Sequence, residues 1–511
     1  MGRKILFITT DQQRYDALGC NGGTIARTPV IDRLAAEGLN YSRAYNQNTV
    51  CMPARSTMIS GQYVRSHGVV MNGIPLPTDG PDVAAQLRDQ AGYHTALIGK
   101  AHFEPASAPD QSYFENFAAR EDKTGPHRGF EHMELAGHTG RAGRSLFHYP
   151  KWLAENHPAA VDGFFEYVTE KKEISSRGGG DTELAQLWHN EMPRELYHTE
   201  WVADRAIAWL DSLPEEEDWF LWMSFPDPHH PWDPPASELH RCPWRDLDLP
   251  DFYPGSPEKI VELLDRKPRH WREWYEGKGQ FNYEVPPLFR PNTLTPDQVR
   301  EVNAMVHISN ELIDEACGRV LDRIDARGWG QDTDVFYTTD HGEMQGEFGL
   351  LFKGPYHVDA LMRVPMIWRP APSAGVTPSA VADPVGHLDL APTFCQVAGV
   401  STDSRMEGAP LPQGAGSGRE RALTEWDSDY LGNEIRMRSI YRDGYVCTAY
   451  EASNYYSGEE GELYDLNEDP RQWTNLWDDP ARAGLRSDLL ADLKDSLPAP
   501  RPDPLEAVAL V

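Results

Sequence analysis

The feature that most constrains this chain is its alternation of short β-rich apolar runs with helical patterns. Lys4–Thr10, Thr95–Gly99, Trp219–Phe225 and Val335–Thr339 read as buried strands. Around them, Thr28–Gly38, Val83–Ala91 and Trp201–Leu213 carry helical periodicity. Ile308, Leu312, Ile313, Cys317, Val320, Leu321 and Ile324 repeat at helical spacing before a stop at Gly328. Runs apolar on both faces suit strands covered by helices on each side. The pattern predicts an α/β fold, a large mixed, mostly parallel sheet sandwiched by helices.

At 511 residues the chain exceeds one small domain. Residues 1–405 are assigned to the α/β domain, with two breaks in the pattern. About 105–198 is Gly-, His- and charge-rich, and about 232–295 is crowded with Pro and aromatics, including Trp244, Trp271 and Trp274. Such insertions form lids, oligomer contacts or packed surface loops. For Trp271, Trp274 and Tyr275, core packing or a subunit contact is expected ahead of a substrate wall. Gly408, Pro410, Pro412, Gly414, Gly416 and Gly418 mark a linker. Residues 420–511 then form a smaller C-terminal α+β domain with an antiparallel sheet. Its hairpin lies in Arg436–Tyr450, turning at Arg442-Asp443-Gly444, and Ser487–Leu497 is its closing helix.

Lys+Arg 48 against Asp+Glu 79 gives a formal charge of −31. A surface this acidic repels nucleic-acid phosphates and anionic membranes, so neither is expected as a partner. Taken alone, it also argues against an anionic substrate. The six cysteines are scattered without a CxxC pair, which speaks against a disulfide scaffold or structural zinc. The apolar N-terminal stretch is too short for a signal h-region, Leu6 removes a myristoylation motif, and no run reaches membrane-spanning length. A cytoplasmic protein is expected.

Ligands of open α/β sheets bind beyond the carboxyl ends of the strands. There the chain carries Asp11-Gln12, Lys100 and His102, His229 and His230, and Asp340-His341-Gly342. An Asp after a strand is commonly a turn residue or cap. Capping, however, does not call for Lys and His at the neighbouring strand ends. Asp11, Asp340, His341 and the Gln12 carbonyl make an oxygen-rich set for a divalent cation of the calcium, magnesium or manganese kind.

Cys51-Met52-Pro53-Ala54-Arg55-Ser56-Thr57-Met58-Ile59-Ser60-Gly61 resembles the formylglycine signature of the sulfatase family. Thr28–Gly38 is similar to the family's first helix, Gly99-Lys100-Ala101-His102 to its Gly-Lys-x-His element, and Pro228-His229-His230-Pro231 to its Pro-His-x-Pro. Thr339-Asp340-His341-Gly342 and Lys353-Gly354 match its late metal and lysine segments. Glu462-Leu463-Tyr464-Asp465-Leu466, Asp469-Pro470 and Asn475-Leu476 follow its usual ending. The resemblance spans nearly the whole chain apart from the two insertions.

The resemblance implies a sulfuric ester hydrolase acting on a small organic sulfate monoester, aryl sulfate-like. A maturation enzyme oxidises the cysteine, here Cys51, to formylglycine, which hydrates to a gem-diol. One metal-bound hydroxyl attacks sulfur, and loss of the other proton expels sulfate. The metal is one divalent ion, calcium first, with manganese or magnesium as alternatives, held by Asp11, Gln12, Cys51, Asp340 and His341. Arg55 holds the diol, Lys100 and Lys353 bind sulfate oxygens, His102 is the base for sulfate elimination, and His229 donates a proton to the leaving alcohol with Lys353. Asn72 hydrogen-bonds the sulfate or serves as a turn residue before Gly73. A homo-oligomer is admitted.

One departure matters. Many sulfatases have a second Asp where this chain has Gln12, and some related phosphonate monoester and phosphodiester hydrolases have Gln there. Those enzymes tend to carry hydroxyl residues where Lys100 and His102 stand, which favours the sulfate ester. A catalytically dead binding protein is the third option. With the pocket residues named, the acidic surface limits substrate size and charge, favouring a small singly sulfated compound over a polyanion.

Overall fold

The computed structural model describes residues 2–105, 112–137, 147–160, 178–281, 285–286 and 289–509. The remaining parts of the two insertions lie outside the described residues. In chain order the strands are β1 (Lys4–Thr10), β2 (Leu39–Tyr41), β3 (Ala44–Tyr45), β4 (His94–Gly99), β5 (His132–Leu135), β6 (Trp219–Ser224), β7 (Thr333–Thr339), β8 (Met366–Arg369), β9 (Ser379–Val381), β10 (Val385–Gly386), β11 (Arg421–Tyr430), β12 (Asn433–Arg442), β13 (Tyr445–Tyr450) and β14 (Gly461–Asp465).

Eight of them form one sheet in the order β5-β4-β6-β1-β7-β8-β2-β9. The run from β5 to β7 is parallel throughout, and β8 is antiparallel to both β7 and β2. β3 and β10 pair separately as a short parallel ribbon. The two-residue period of the strands sorts side chains between two helical layers. Leu6 and Ile8 of β1 face Ile31, Trp201, Ile313 and Val320 of the helices Pro29–Glu37, His198–Ser212 and Pro296–Ala326. Ile5 and Phe7 face Val83, Leu87 and Phe394 of Val83–Ala91 and Leu390–Ala398 on the other side. Each such side chain removed from water contributes about 1.5–3 kcal/mol, so the strands are held from both faces.

β11 to β14 form the second sheet, an antiparallel meander. One face packs Leu423, Ile440, Cys447 and Leu463 against Leu489 and Leu493 of the helix Ala483–Ser496. The other presents Trp426, Ile435, Met437 and Tyr450 to the aromatic insertion, where Trp271, Trp274 and Tyr275 are buried in the same cluster. Those three aromatics are core packing. The Gly/Pro-rich run before β11 is docked rather than free. Gly408 N donates to Gly61 O, Tyr41 Oη donates to Pro412 O, and Leu411 is buried. All six cysteines are free thiols. No helix among the described residues is long and apolar enough to cross a membrane.

Candidate active site

β4, β6, β1 and β7 are parallel neighbours, so their carboxyl ends share one edge. That edge brings together the residues that follow them: Lys100, His102, His229, His230, Asp11, Gln12, Asp340 and His341. Gly99 makes the junction of β4 and β6 possible. Its φ is 108°, and a Cβ there would lie 1.7 Å from the Ser224 carbonyl oxygen. Only glycine allows that approach.

The helix Cys51–Ser60 is buried along its whole length and ends at Gly61 in the left-handed region, whose N–H closes on Thr57 O. Cys51 is its first residue. Val50 at the N-cap offers no side-chain cap, and an amide of the first turn is satisfied from elsewhere. Asn72 Oδ1 accepts from Met52 N at 2.9 Å. Asn72, read in the sequence as a sulfate ligand or a turn residue, thus caps the helix that carries Cys51. The approach to that helix is laced to β11. Glu425 N donates to Gln47 O at 2.9 Å, Asn48 Nδ2 to Glu425 O at 2.8 Å, and Thr424 Oγ1 to Asn46 O at 2.6 Å. The second sheet therefore helps to place Cys51.

Around Cys51 Sγ stand Lys353 Nζ at 3.1 Å, His341 Nε2 at 3.2 Å, and Asp11 Oδ1 and Lys100 Nζ each at 3.6 Å. Lys100 Nζ also donates to Asp11. Lys353 Nζ reaches His229 Nε2 at 2.8 Å and Gln12 Oε1 at 3.1 Å. Arg55 donates through Nε to Asp340 Oδ2 at 2.8 Å. Its Nη1 reaches Lys100 O at 2.8 Å and Ser224 Oγ at 2.9 Å. Arg55 thus braces the carboxylates and the Lys100 backbone. His102 lies at the edge of this group, 7% exposed, where the charges of Lys100, Arg55, Asp11 and Lys353 reach it.

These charges decide the protonation states. Burial opposes ionisation of Asp11, yet Lys100, His229, Lys353 and Arg55 outweigh it and hold the carboxyl well below its usual range. Burial, reinforced by Asp11, pushes the Cys51 thiol up to about 12 against the pull of Lys100 and Lys353. Burial first, then neighbouring cations, holds His102 and His229 well below the usual imidazole value. Burial also lowers His341, despite Asp340 and Asp11.

The donor set fits a divalent cation. Donor atoms of Asp11, Cys51, Asp340 and His341 lie within 4.8 Å of one another, all buried. His341 Nδ1 is 2.9 Å from Gly342 O, which only accepts. The proton is therefore on Nδ1, and the Nε2 lone pair faces the site, as a metal ligand requires. Gln12 sits beside it at φ 63°. Its Nε2 donates to Glu343, leaving Oε1 turned to Lys353.

Residues 3–400 match the pattern of the family described as Sulfatase. The chain belongs to the sulfatase family. Residues 346–498 also match the pattern described as N-sulphoglucosamine sulphohydrolase, C-terminal. An uncharacterized sulfatase of Escherichia coli (strain K12) is 28% identical over 97% of this chain and 88% of its own length. An arylsulfatase of Clostridium perfringens (strain 13 / Type A) is 28% identical over 93% of this chain and 90% of its own. The phosphonate monoester hydrolase of Agrobacterium radiobacter shares the fold, with a TM-score of 0.77 at 22% identity, over 96% of this chain and 95% of that one.

In this sulfatase, sequence reasoning missed Ser224, Glu343 and the capping role of Asn72. Glu343 had a signal, since an acid two residues past His341 cannot leave the site region. Ser224 and Asn72 had none, because their partners Arg55 and Met52 become neighbours only through the fold.

Proposed function

We propose that the chain hydrolyses a small organic sulfate monoester, aryl sulfates foremost, using a formylglycine made from Cys51 beside a divalent cation, calcium in first place. The observation that carries this reading is the setting of Cys51. It opens a helix, faces two lysines and a metal-ligand set, and has its thiol pushed up to about 12. A thiol so protonated is a poor thiolate nucleophile at neutral pH, so the position makes sense as a precursor. The relative named arylsulfatase supports the ester class.

A formylglycine here supplies a hydrated aldehyde as nucleophile, and a cation at Asp11, Gln12, Asp340 and His341 supplies Lewis acidity. The chain's own groups do the rest. Lys100 and Lys353 offer ammonium groups to the ester's oxygens, in a buried site where such charges act strongly. Arg55 holds Asp340 and the Lys100 carbonyl in place. Lys353 Nζ, bonded to the Nε2 of neutral His229, supplies the proton that His229 relays to the departing alkoxide, leaving Lys353 as the neutral amine. His102, neutral and with no hydrogen-bond partner on its ring nitrogens among the described residues, serves as the base that completes turnover.

The test is release of the phenol from an aryl sulfate by protein co-produced with a formylglycine-generating enzyme, against Cys51→Ala. Activity lost in the variant supports the mechanism, and equal turnover sinks it. Gln12 favours a second reading, phosphonate monoester or phosphodiester hydrolysis at the same site. Matched aryl sulfate and phosphonate monoester substrates decide between them by kcat/KM, with the sulfate expected to win because Lys100 and His102 are present.

A further inference from the structure

His102 has an unusual support. Neither ring nitrogen has a hydrogen-bond partner among the described residues, so no hydrogen bond on the imidazole sets its direction. Its backbone φ is 60°, in the left-handed region that a non-glycine residue keeps only when its surroundings enforce it. The enforcing group is Glu115, which follows in the first insertion. Glu115 Oε2 accepts from His102 N at 3.0 Å and Oε1 accepts from Phe103 N at 2.9 Å. One carboxyl group thus clamps both amides of the turn.

The clamp is itself tied down. Glu115 is 1% exposed, its N–H donates to Glu104 Oε2 at 3.0 Å, and Asn116 Nδ2 donates to Pro105 O at 2.7 Å. Glu104 in turn lies 3.3 Å from His127 Nε2 and 3.7 Å from Arg128 Nη2. Phe103, the other clamped residue, packs fully buried against Trp222.

We propose that Glu115 is the positioning residue for His102, holding the strained turn that aims the unpartnered imidazole at the reacting ester. The proposal rests on the reading of His102 as the base. Glu115→Gln keeps size but turns one acceptor into an NH2 group facing a backbone N–H. In the matured enzyme it lowers kcat about tenfold to hundredfold, the scale expected when a reacting group is displaced by about an ångström, with KM within about twofold. His102→Ala and the double variant complete a cycle. If Glu115 acts through His102, the double variant is no slower than His102→Ala. Multiplying losses, or a wild-type kcat in Glu115→Gln, overturn the proposal.

Melting temperatures check folding. If the glutamine variant does not fold, Glu115→Asp, which keeps the carboxyl group but reaches one amide at most, takes its place in the cycle. The Cε1–H resonance of His102 in protein carrying labelled histidine, identified by its loss in His102→Ala, gives a readout that needs no substrate. A shift in the Glu115 variant is expected, and an unmoved resonance overturns the clamp. Failure of the wild type to hydrolyse any ester would instead fall on the functional reading.

Discussion

Lys353 donates to His229, with Nζ 2.8 Å from Nε2. The other ring nitrogen of His229, Nδ1, bonds the His230 carbonyl and therefore holds the proton. His229 is neutral, with burial the first cause and Lys353 the second. The proton nearest the leaving group is thus shared along a Lys353–His229 pair rather than stored on an imidazolium.

A shared proton matters most when the leaving alkoxide is basic. His229→Asn and Lys353→Ala are each expected to lower kcat/KM about a hundredfold or more on alkyl sulfates, within the range of general acid catalysis. On 4-nitrophenyl sulfate, whose phenoxide needs little help, His229→Asn costs much less. Lys353→Ala stays costly there because it also removes a cation beside Cys51. A Brønsted plot over substituted phenyl sulfates measures this, and equal slopes in wild type and His229→Asn would remove the proton-donor role.

The second prediction concerns Glu343. It accepts from Gln12 Nε2 and from the N–H groups of Gln345 and Phe352. With both oxygens so engaged, it fixes the Gln12 amide with Oε1 turned to Lys353, beside the metal set. Glu343→Gln presents an NH2 group to one of those donors and lets the Gln12 amide turn. Divalent-cation affinity is expected to fall about tenfold to hundredfold, as for other residues that orient ligands. Metal content after dialysis against graded chelator reads this without any substrate, and unchanged retention would count against it.

The large sheet and its catalytic edge were legible because a parallel strand buried on both faces leaves a continuous apolar run, as in Lys4–Thr10 and Trp219–Phe225, and the residue after it is then conspicuous. The second sheet was half legible. β12 and β13 announce themselves through the Asp443-Gly444 turn, whereas the two-residue turn Leu431-Gly432 that joins β11 to β12, with both φ positive, is disguised by a leucine at its first position. The long helix begins at Pro296, earlier than the apolar spacing from Ile308 suggests. Its start was nonetheless written as a capping box, Thr295 with Gln298. Glu343 could be placed near the site from its spacing to His341, but neither it nor Glu115 was legible as a buried acceptor of backbone amides. A glutamate in a sequence reads as surface charge until the fold supplies the amides that satisfy it.

The third prediction follows from the Cys51 thiol lying near 12. Before conversion, the thiolate fraction at pH 8 is on the order of one in ten thousand. Native unmatured protein should resist iodoacetamide at Cys51, while urea-unfolded protein is alkylated at the ordinary rate. Peptide mass mapping resolves the site. Rapid alkylation in the native state would contradict the burial that makes this cysteine a precursor.

The last prediction is a dependence of stability on pH through His67. Val69 N donates to its Nδ1 at 3.1 Å, so Nε2 carries the proton toward Thr57 Oγ1 at 3.0 Å, on the helix that bears Cys51. Burial pushes this imidazole down to about 3. The unfolded chain binds the proton near 6.5, so the folded state loses stability as pH falls from 6.5 toward 3, by up to a few kcal/mol. Buried acids act in the opposite sense, with Glu462 raised to about 7 and Asp82 to about 6 by burial. The total slope is therefore a contest, and the variant difference isolates the histidine. His67→Gln should be less stable than wild type at pH 7 because the packing and bonds are disturbed. That deficit should shrink steadily at pH 6, 5 and 4. Urea denaturation at each pH measures the difference, and a deficit constant with pH would mean that His67 is not buried in its neutral form.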